Sequence, residues 1–165
     1  EQYLSERITD NFIIKSDFIV DKNVIGLGNT AVRRSQLRDL TIPSATIAID
    51  WMIFTGMLLR GASAIFKNDA VCYYRQHQAN SAGLKNISIE KIRRGLTVQV
   101  QNASFFADQS DIHQQRLEKL MRLKSFFSEN SHNLQLYKQL VEKRLPDYPL
   151  WWQEIYTLNQ LSLSK

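Results

Sequence analysis

The sequence predicts an α+β chain, with short strands packed around one buried helix over residues 1–84 and an α-helical extension over residues 85–165. Three observations carry this. The run Trp51 to Arg60 is nearly all apolar (Met52, Ile53, Phe54, Met57, Leu58, Leu59), as a helix buried on most sides is. Short β-type runs lie on both sides of it. From Ser88 onward, apolar residues recur at helical spacing instead.

Taken in order, Phe12-Ile13-Ile14 and Phe18-Ile19-Val20 read as short strands or extended loop. Val24 to Arg34 is a β-leaning run carrying Gly26 and Gly28. Glycines there mark either a turn into the strand, which the spacing favours, or a close approach to the backbone. Ser35 is a candidate N-cap for a short helix Gln36 to Leu40, and Ile42-Pro43-Ser44 breaks the chain. The central helix follows, and Gly61 stands where a left-handed C-terminal cap is expected. Ala64-Ile65-Phe66 and Ala70 to Tyr74 flank Lys67-Asn68-Asp69 as the arms of a hairpin, and Asn80, Ser81 and Gly83 form a loop. In the extension, Ile89, Ile92, Leu96, Val100, Ala103 and Phe106 define one helix. Leu117, Leu120, Leu123 and Phe127 define a second, and Leu134, Tyr137, Val141 and Leu145 a third. A fourth runs from Leu150 through Trp151, Trp152, Ile155 and Leu158, after the break at Pro146 to Pro149.

The 165 residues, 44% apolar and 22% charged, are enough to bury a real core, and this composition argues against disorder. No charged-then-apolar leader pattern is present, and the longest apolar run, broken by Asp50 and Arg60, falls short of the ~20 residues that span a bilayer. A single cysteine, Cys72, excludes an intrachain disulfide and a thiolate zinc site, and it reads as a small buried apolar residue. The net charge of +5 is uneven. Residues 1–84 carry nine basic against eight acidic side chains, and residues 85–165 carry twelve against eight. This excess forms no dense stripe and no recognition motif, so nucleic acid is not expected as a partner. An anionic membrane surface and plain solvation both remain readings of it.

Asp50, opening the central helix, carries two readings. As a cap, its carboxylate accepts amide hydrogens left free in the first turn. As a general base, it needs to reach a substrate hydroxyl, and a rigid helix at the rim of a core would aim it. Arg75 and His77 lie two apart and share a face if the strand continues, so a guanidinium and an imidazole can meet one anionic group. Their alternative is a salt bridge and a surface histidine. His113 and His132 stand alone in the extension and are given no function.

In this order the pieces resemble the C-terminal half of a family 2 glycosyltransferase of the GT-A fold, closest to rhamnosyltransferase-like members. The residues that carry the likeness are Gly28-Asn29-Thr30-Ala31-Val32-Arg33-Arg34, Pro43, Asp50-Trp51, Gly61 and Tyr74-Arg75-Gln76-His77-Gln78-Ala79-Asn80-Ser81-Ala82-Gly83, spanning about residues 23 to 84. The resemblance implies transfer of a sugar, with inversion, from a nucleotide-sugar donor to an acceptor hydroxyl in surface polysaccharide or glycan synthesis. Asp50 would then be the catalytic base and Trp51 would shape the acceptor side. Gly28 and Asn29 would lie beneath the donor sugar. Arg75 and His77 would cover the donor diphosphate, with His77 a candidate ligand of its Mg²⁺ or Mn²⁺. The likeness also implies a glycan or lipid-linked acceptor and a cytoplasmic location, peripheral to the inner face of the membrane. The family's D-x-D motif does not occur, nor does an alternating β-α series before Gly26. The expectation is therefore a severed acceptor-side half, inactive by itself. A second class of function competes with this one, a non-enzymatic helical module whose residues 85–165 bind a protein partner or an anionic surface. In that context Trp151 and Trp152 would either pack into the bundle or sit at a headgroup boundary.

Overall fold

The computed structural model describes residues 8–70, 73, 87–144 and 155–163. The chain is mixed but mainly helical, and it divides into two compact units, Glu1–Arg75 and Gln76–Lys165.

The first unit is organised by α1 (Ile49–Leu59), which buries Trp51, Met52, Phe54, Thr55, Met57 and Leu58. Burial on this many faces follows from the near absence of a polar side in the sequence. Trp51 is 0% exposed, and its indole N–H donates to the Ile19 carbonyl at 2.7 Å, so the ring fills the core while its polar edge is satisfied. Gly61 ends the helix at φ +91°, as expected. Its N–H reaches Leu58 O at 3.1 Å and that of Ala62 reaches Met57 O at 3.2 Å, the paired bonds of a Schellman cap. Arg60, the C-cap residue, sends its guanidinium to Arg38 O at 2.7 Å and Gln36 O at 3.2 Å, clasping a distant turn to the end of α1.

The unit's sheet is minimal. β1 (Ile13–Ile14) pairs antiparallel with β2 (Ala64–Ile65), with Ile13 opposite Ile65 and Ile14 opposite Ala64. Phe66 N–H to Phe12 O and Asn11 N–H to Phe66 O, both 2.9 Å, extend the register. Nearby, Asp10 Oδ1 accepts the Asn68 amide at 3.1 Å, and that bond, aided by Lys67, holds the carboxyl below its ordinary value of 3.8. The expected hairpin between Ala64-Ile65-Phe66 and Ala70 to Tyr74 therefore has its first arm paired elsewhere, while most of the second lies outside the described residues. Two other expectations are corrected. Phe18-Ile19-Val20 is a turn, with Phe18 N–H on Lys15 O, Ile19 and Val20 buried, and the Ile19 carbonyl taken by the Trp51 indole rather than by a strand partner. Val24 to Arg34 forms no strand; a turn at Gly26–Asn29 interrupts it. The helix expected over Gln36 to Leu40 is instead a single 3-10 turn, Arg34–Leu37, preceded by Arg33 with no side-chain cap. Asp39, at φ +57°, turns the chain out of helical geometry.

The second unit is built from α2 (Ile89–Phe106), α3 (Asp111–Glu129) and α4 (Ser131–Arg144), each at the span its apolar periodicity implies. Ser88 caps α2 by accepting Lys91 N–H at 3.2 Å, and with Glu90's own amide it holds the Glu90 carboxyl below its ordinary 4.5. One apolar cluster joins the helices, including Leu96, Leu120, Leu123, Leu134, Tyr137 and Val141, and Ile155 and Leu161 close it. Crossing this core is a polar seam. Arg116 donates through Nε to Gln99 Oε1 at 3.1 Å and through Nη2 to Gln99 Oε1 and to Ile155 O, the last at 2.8 Å. His113 is 0% exposed, with Nδ1 3.0 Å from Ser110 Oγ and its ring edge-on to Phe106. The fourth expected helix is not present in its described part. Residues 155–157 belong to no helix or strand, and Asn159–Leu161 is a 3-10 turn. The carbonyls of Ile155 and Tyr156 are taken by Arg116 and the Tyr137 hydroxyl, and Gln160 Oε1 accepts Thr157 N–H, so the segment's polar groups are satisfied without a helix. Among the described residues no helix is long and apolar enough to cross a membrane.

Candidate functional site

Asp50 is the second residue of α1, and the N-cap is Ala48, which has no side-chain bond. The cap reading of Asp50 is therefore met only in part, since its Oδ1 accepts the Trp51 amide at 2.8 Å from within the first turn. The same oxygen accepts from Asn23 Nδ2 at 3.0 Å, across 27 residues of chain. Two donors on Oδ1 fix the carboxylate plane. Half-buried at a helix N-terminus, the group also sits where backbone N–H groups favour negative charge.

Oδ2 faces the turn at Gly26. A Cβ built on Gly26 would lie 3.9 Å from Asp50 Oδ2 and 3.0 Å from Asn29 Oδ1. A side chain at Gly26 would thus crowd the Asn29 amide, and no left-handed backbone is involved. Asn29 locks the turn from both ends, its side-chain oxygen accepting Gly26 N–H at 2.8 Å and its own N–H reaching Gly26 O at 3.3 Å. Thr30 Oγ1 adds a 3.3 Å bond to Asn29 Oδ1. The result is a carboxylate oxygen beside the Gly26 turn, where no side chain projects from the glycine and the Asn29 amide lies alongside.

Of the residues singled out in the sequence, Asp50 and Asn29 both approach Gly26. Gly28 lies on the exposed tip of the same turn, with nothing within 4 Å of a built Cβ. The close approach that glycine spacing leaves open applies to Gly26. Trp51 is wholly buried and ties the start of α1 to Ile19. Arg75 and His77 lie outside the described residues, as do Cys72, Trp151 and Trp152. Asn23 was not visible as a site residue, because its one signal is a hydrogen bond to a residue far along the chain.

The resemblance implies a divalent metal, but among the described residues no group of three or more His, Cys, Asp or Glu side chains converges to hold one. Among the described residues Asp50 has Asn23, Gly26 and Asn29 as neighbours, a set that does not by itself fit a resident cation. Scans against protein-family models, curated proteins and solved structures find no match to this chain.

Proposed function

We propose that this chain is the acceptor-side half of an inverting glycosyltransferase with a GT-A type domain, in which Asp50 is the general base. The observation that carries the reading is the asymmetric carboxylate. Oδ1 is held by Asn23 Nδ2 and Trp51 N–H, and Oδ2 lies on the side of the Gly26 turn, where the glycine carries no side chain. A base needs one oxygen fixed and the other within reach of a hydroxyl, and the two bonds on Oδ1 support the first half of that requirement.

In the proposed reaction the acceptor hydroxyl enters beside Gly26 and donates its hydrogen bond to Asp50 Oδ2. As its oxygen attacks the anomeric carbon, the proton passes to Oδ2. The anomeric bond to the diphosphate breaks, and the leaving group departs with the bonding pair from the opposite face, which inverts the centre. The acceptor would be a glycan or lipid-linked sugar, and the donor a nucleotide-sugar. Arg75 and His77 are assigned to the donor diphosphate by the resemblance alone. Transfer then requires the nucleotide-binding half of the domain, and any metal would be supplied on that side.

Asp50→Asn in the enzyme carrying both halves is the test. Asparagine keeps the size and an acceptor oxygen but cannot take the proton, so transfer is expected to fall by about 10²–10⁴ with donor binding unchanged. Turnover within a few-fold of the parent would leave Asp50 as a structural residue of the first turn and defeat the proposal.

A further inference from the structure

A second feature of the first unit is independent of Asp50. The 3-10 turn Arg34–Leu37 and its flanks put three arginines, Arg33, Arg34 and Arg38, within six residues, all exposed. Among the described residues none of these three guanidinium groups has a hydrogen-bond or ion-pair partner. The one carboxylate between residues 33 and 49 is Asp39, also exposed. The turn is held in place, because Arg60 takes the carbonyls of Gln36 and Arg38. Arg34, Ser35, Leu37 and Arg38 line a shallow hollow there.

The apolar residues beside the arginines indicate the occupant. Leu37 is 45% exposed and Ile42 37%, and Ile47 and Ile49 follow on the same stretch, also exposed. Between residues 33 and 49 there is no aromatic side chain, so the stacking that accompanies phosphate contacts in single-stranded nucleic-acid binding has no platform. Guanidinium groups fitted to phosphate, together with branched aliphatic side chains open to solvent, match the headgroup and acyl boundary of a bilayer.

We propose that the arginine turn and the adjoining segment to Ile49 form a peripheral contact for an anionic phospholipid surface, with Arg33, Arg34 and Arg38 on lipid phosphates and Leu37 and Ile42 entering the interface. The site lies in the first unit. The helical extension, where the sequence places most of the basic excess, is not required for it. Because the stretch ends at Ile49, the contact brings Asp50 close to the bilayer surface, whatever reaction that residue serves.

Flotation of the whole chain with phosphatidylcholine vesicles, with and without about a third phosphatidylglycerol, tests the proposal. Binding is expected only to the anionic vesicles and is expected to weaken at high salt. Replacing Arg33, Arg34 and Arg38 by Gln is expected to weaken it by about five-fold per arginine, with helical content unchanged by circular dichroism. Leu37→Ser with Ile42→Ser, all arginines kept, is expected to remove the part of the binding that survives salt. Trp151→Ala with Trp152→Ala is expected to leave binding intact. The proposal is overturned by no binding to anionic vesicles, or by binding that the arginine replacements leave unchanged and the tryptophan replacements abolish. It is also overturned if inorganic phosphate alone binds the turn and vesicles do not, which would make it a site for a free anion.

Discussion

The two units reach burial by different routes. In the second, α2, α3 and α4 each bring a continuous apolar face, and the cluster closes on itself; among the described residues only Ile112 and Met121 are large apolar side chains left exposed. In the first, a single helix is wrapped by turns and a two-residue ladder, and Ile13, Leu27, Leu37, Ile42, Ile47, Ile49, Ile65 and Tyr73 all remain exposed. Helices satisfy their own backbone, so their side chains are free to seal a core. Loops must find backbone partners one at a time, and this unit does so with side chains: Trp51 on the Ile19 carbonyl and Arg60 on the carbonyls of Arg38 and Gln36. The unit with fewer regular elements is the one that presents chemical groups at its surface.

The largest expected break in this contrast is Trp51→Ala. Removing a fully buried indole and its bond to Ile19 is expected to cost about 3–5 kcal/mol of stability in the first unit. Hydrogen exchange resolved by segment is the measurement, with α2 to α4 keeping their protection. Equal loss in both regions would show that they unfold as one.

Acid should weaken the second unit instead. Burial pushes His113 from its ordinary 6.5 down to about 4, and its Nε2 has no hydrogen-bond partner among the described residues. The folded state therefore binds this proton less readily than the unfolded chain does. Its stabilising contribution is complete above about pH 6.5 and is lost as pH falls toward 4. Denaturant unfolding at pH 7 and pH 4.5 is expected to differ by roughly 2–3 kcal/mol from this group, and His113→Phe is expected to flatten that part of the profile. An unchanged slope in the variant would assign acid sensitivity elsewhere.

The smallest pair compares one helix end from each unit. Gly61→Ala forces a Cβ into a left-handed cap, and Ser88→Ala removes the bond to Lys91 N–H. Each is expected to cost about 1 kcal/mol, read as a shift in the denaturation midpoint, with the loss at Gly61 confined to the first unit and that at Ser88 to the second.

The same contrast explains what could be read from the sequence. The helices α2, α3 and α4 were legible because period 3.6 is local and each face is long. The core helix and its glycine cap were legible for the same reason, although α1 begins two residues earlier than the apolar run suggests. The strands were half legible. Ile13-Ile14 and Ala64-Ile65 have strand-forming residues, but nothing local says that they pair with each other across some fifty residues. The end of the extension misled, since Ile155 and Leu158 sit at helical spacing while Arg116 and Tyr137 claim the carbonyls a helix would use. At the site, Asp50 stood out by its place before an apolar run. Asn23 did not, and Gly26 stood out only as a glycine in a β-leaning run, because the relation of both to Asp50 exists only after folding.

The clasp made by Arg60 has a consequence for the order in which the first unit opens. Its two bonds close a loop of more than twenty residues on the last turn of α1, so that loop cannot keep its shape once the turn frays. Amide protons around Gln36 and Arg38 should then share an opening free energy with the C-terminal turn of α1, as one cooperative segment. Arg60→Ala would uncouple them, and the arginine turn would exchange freely while the helix stayed shut.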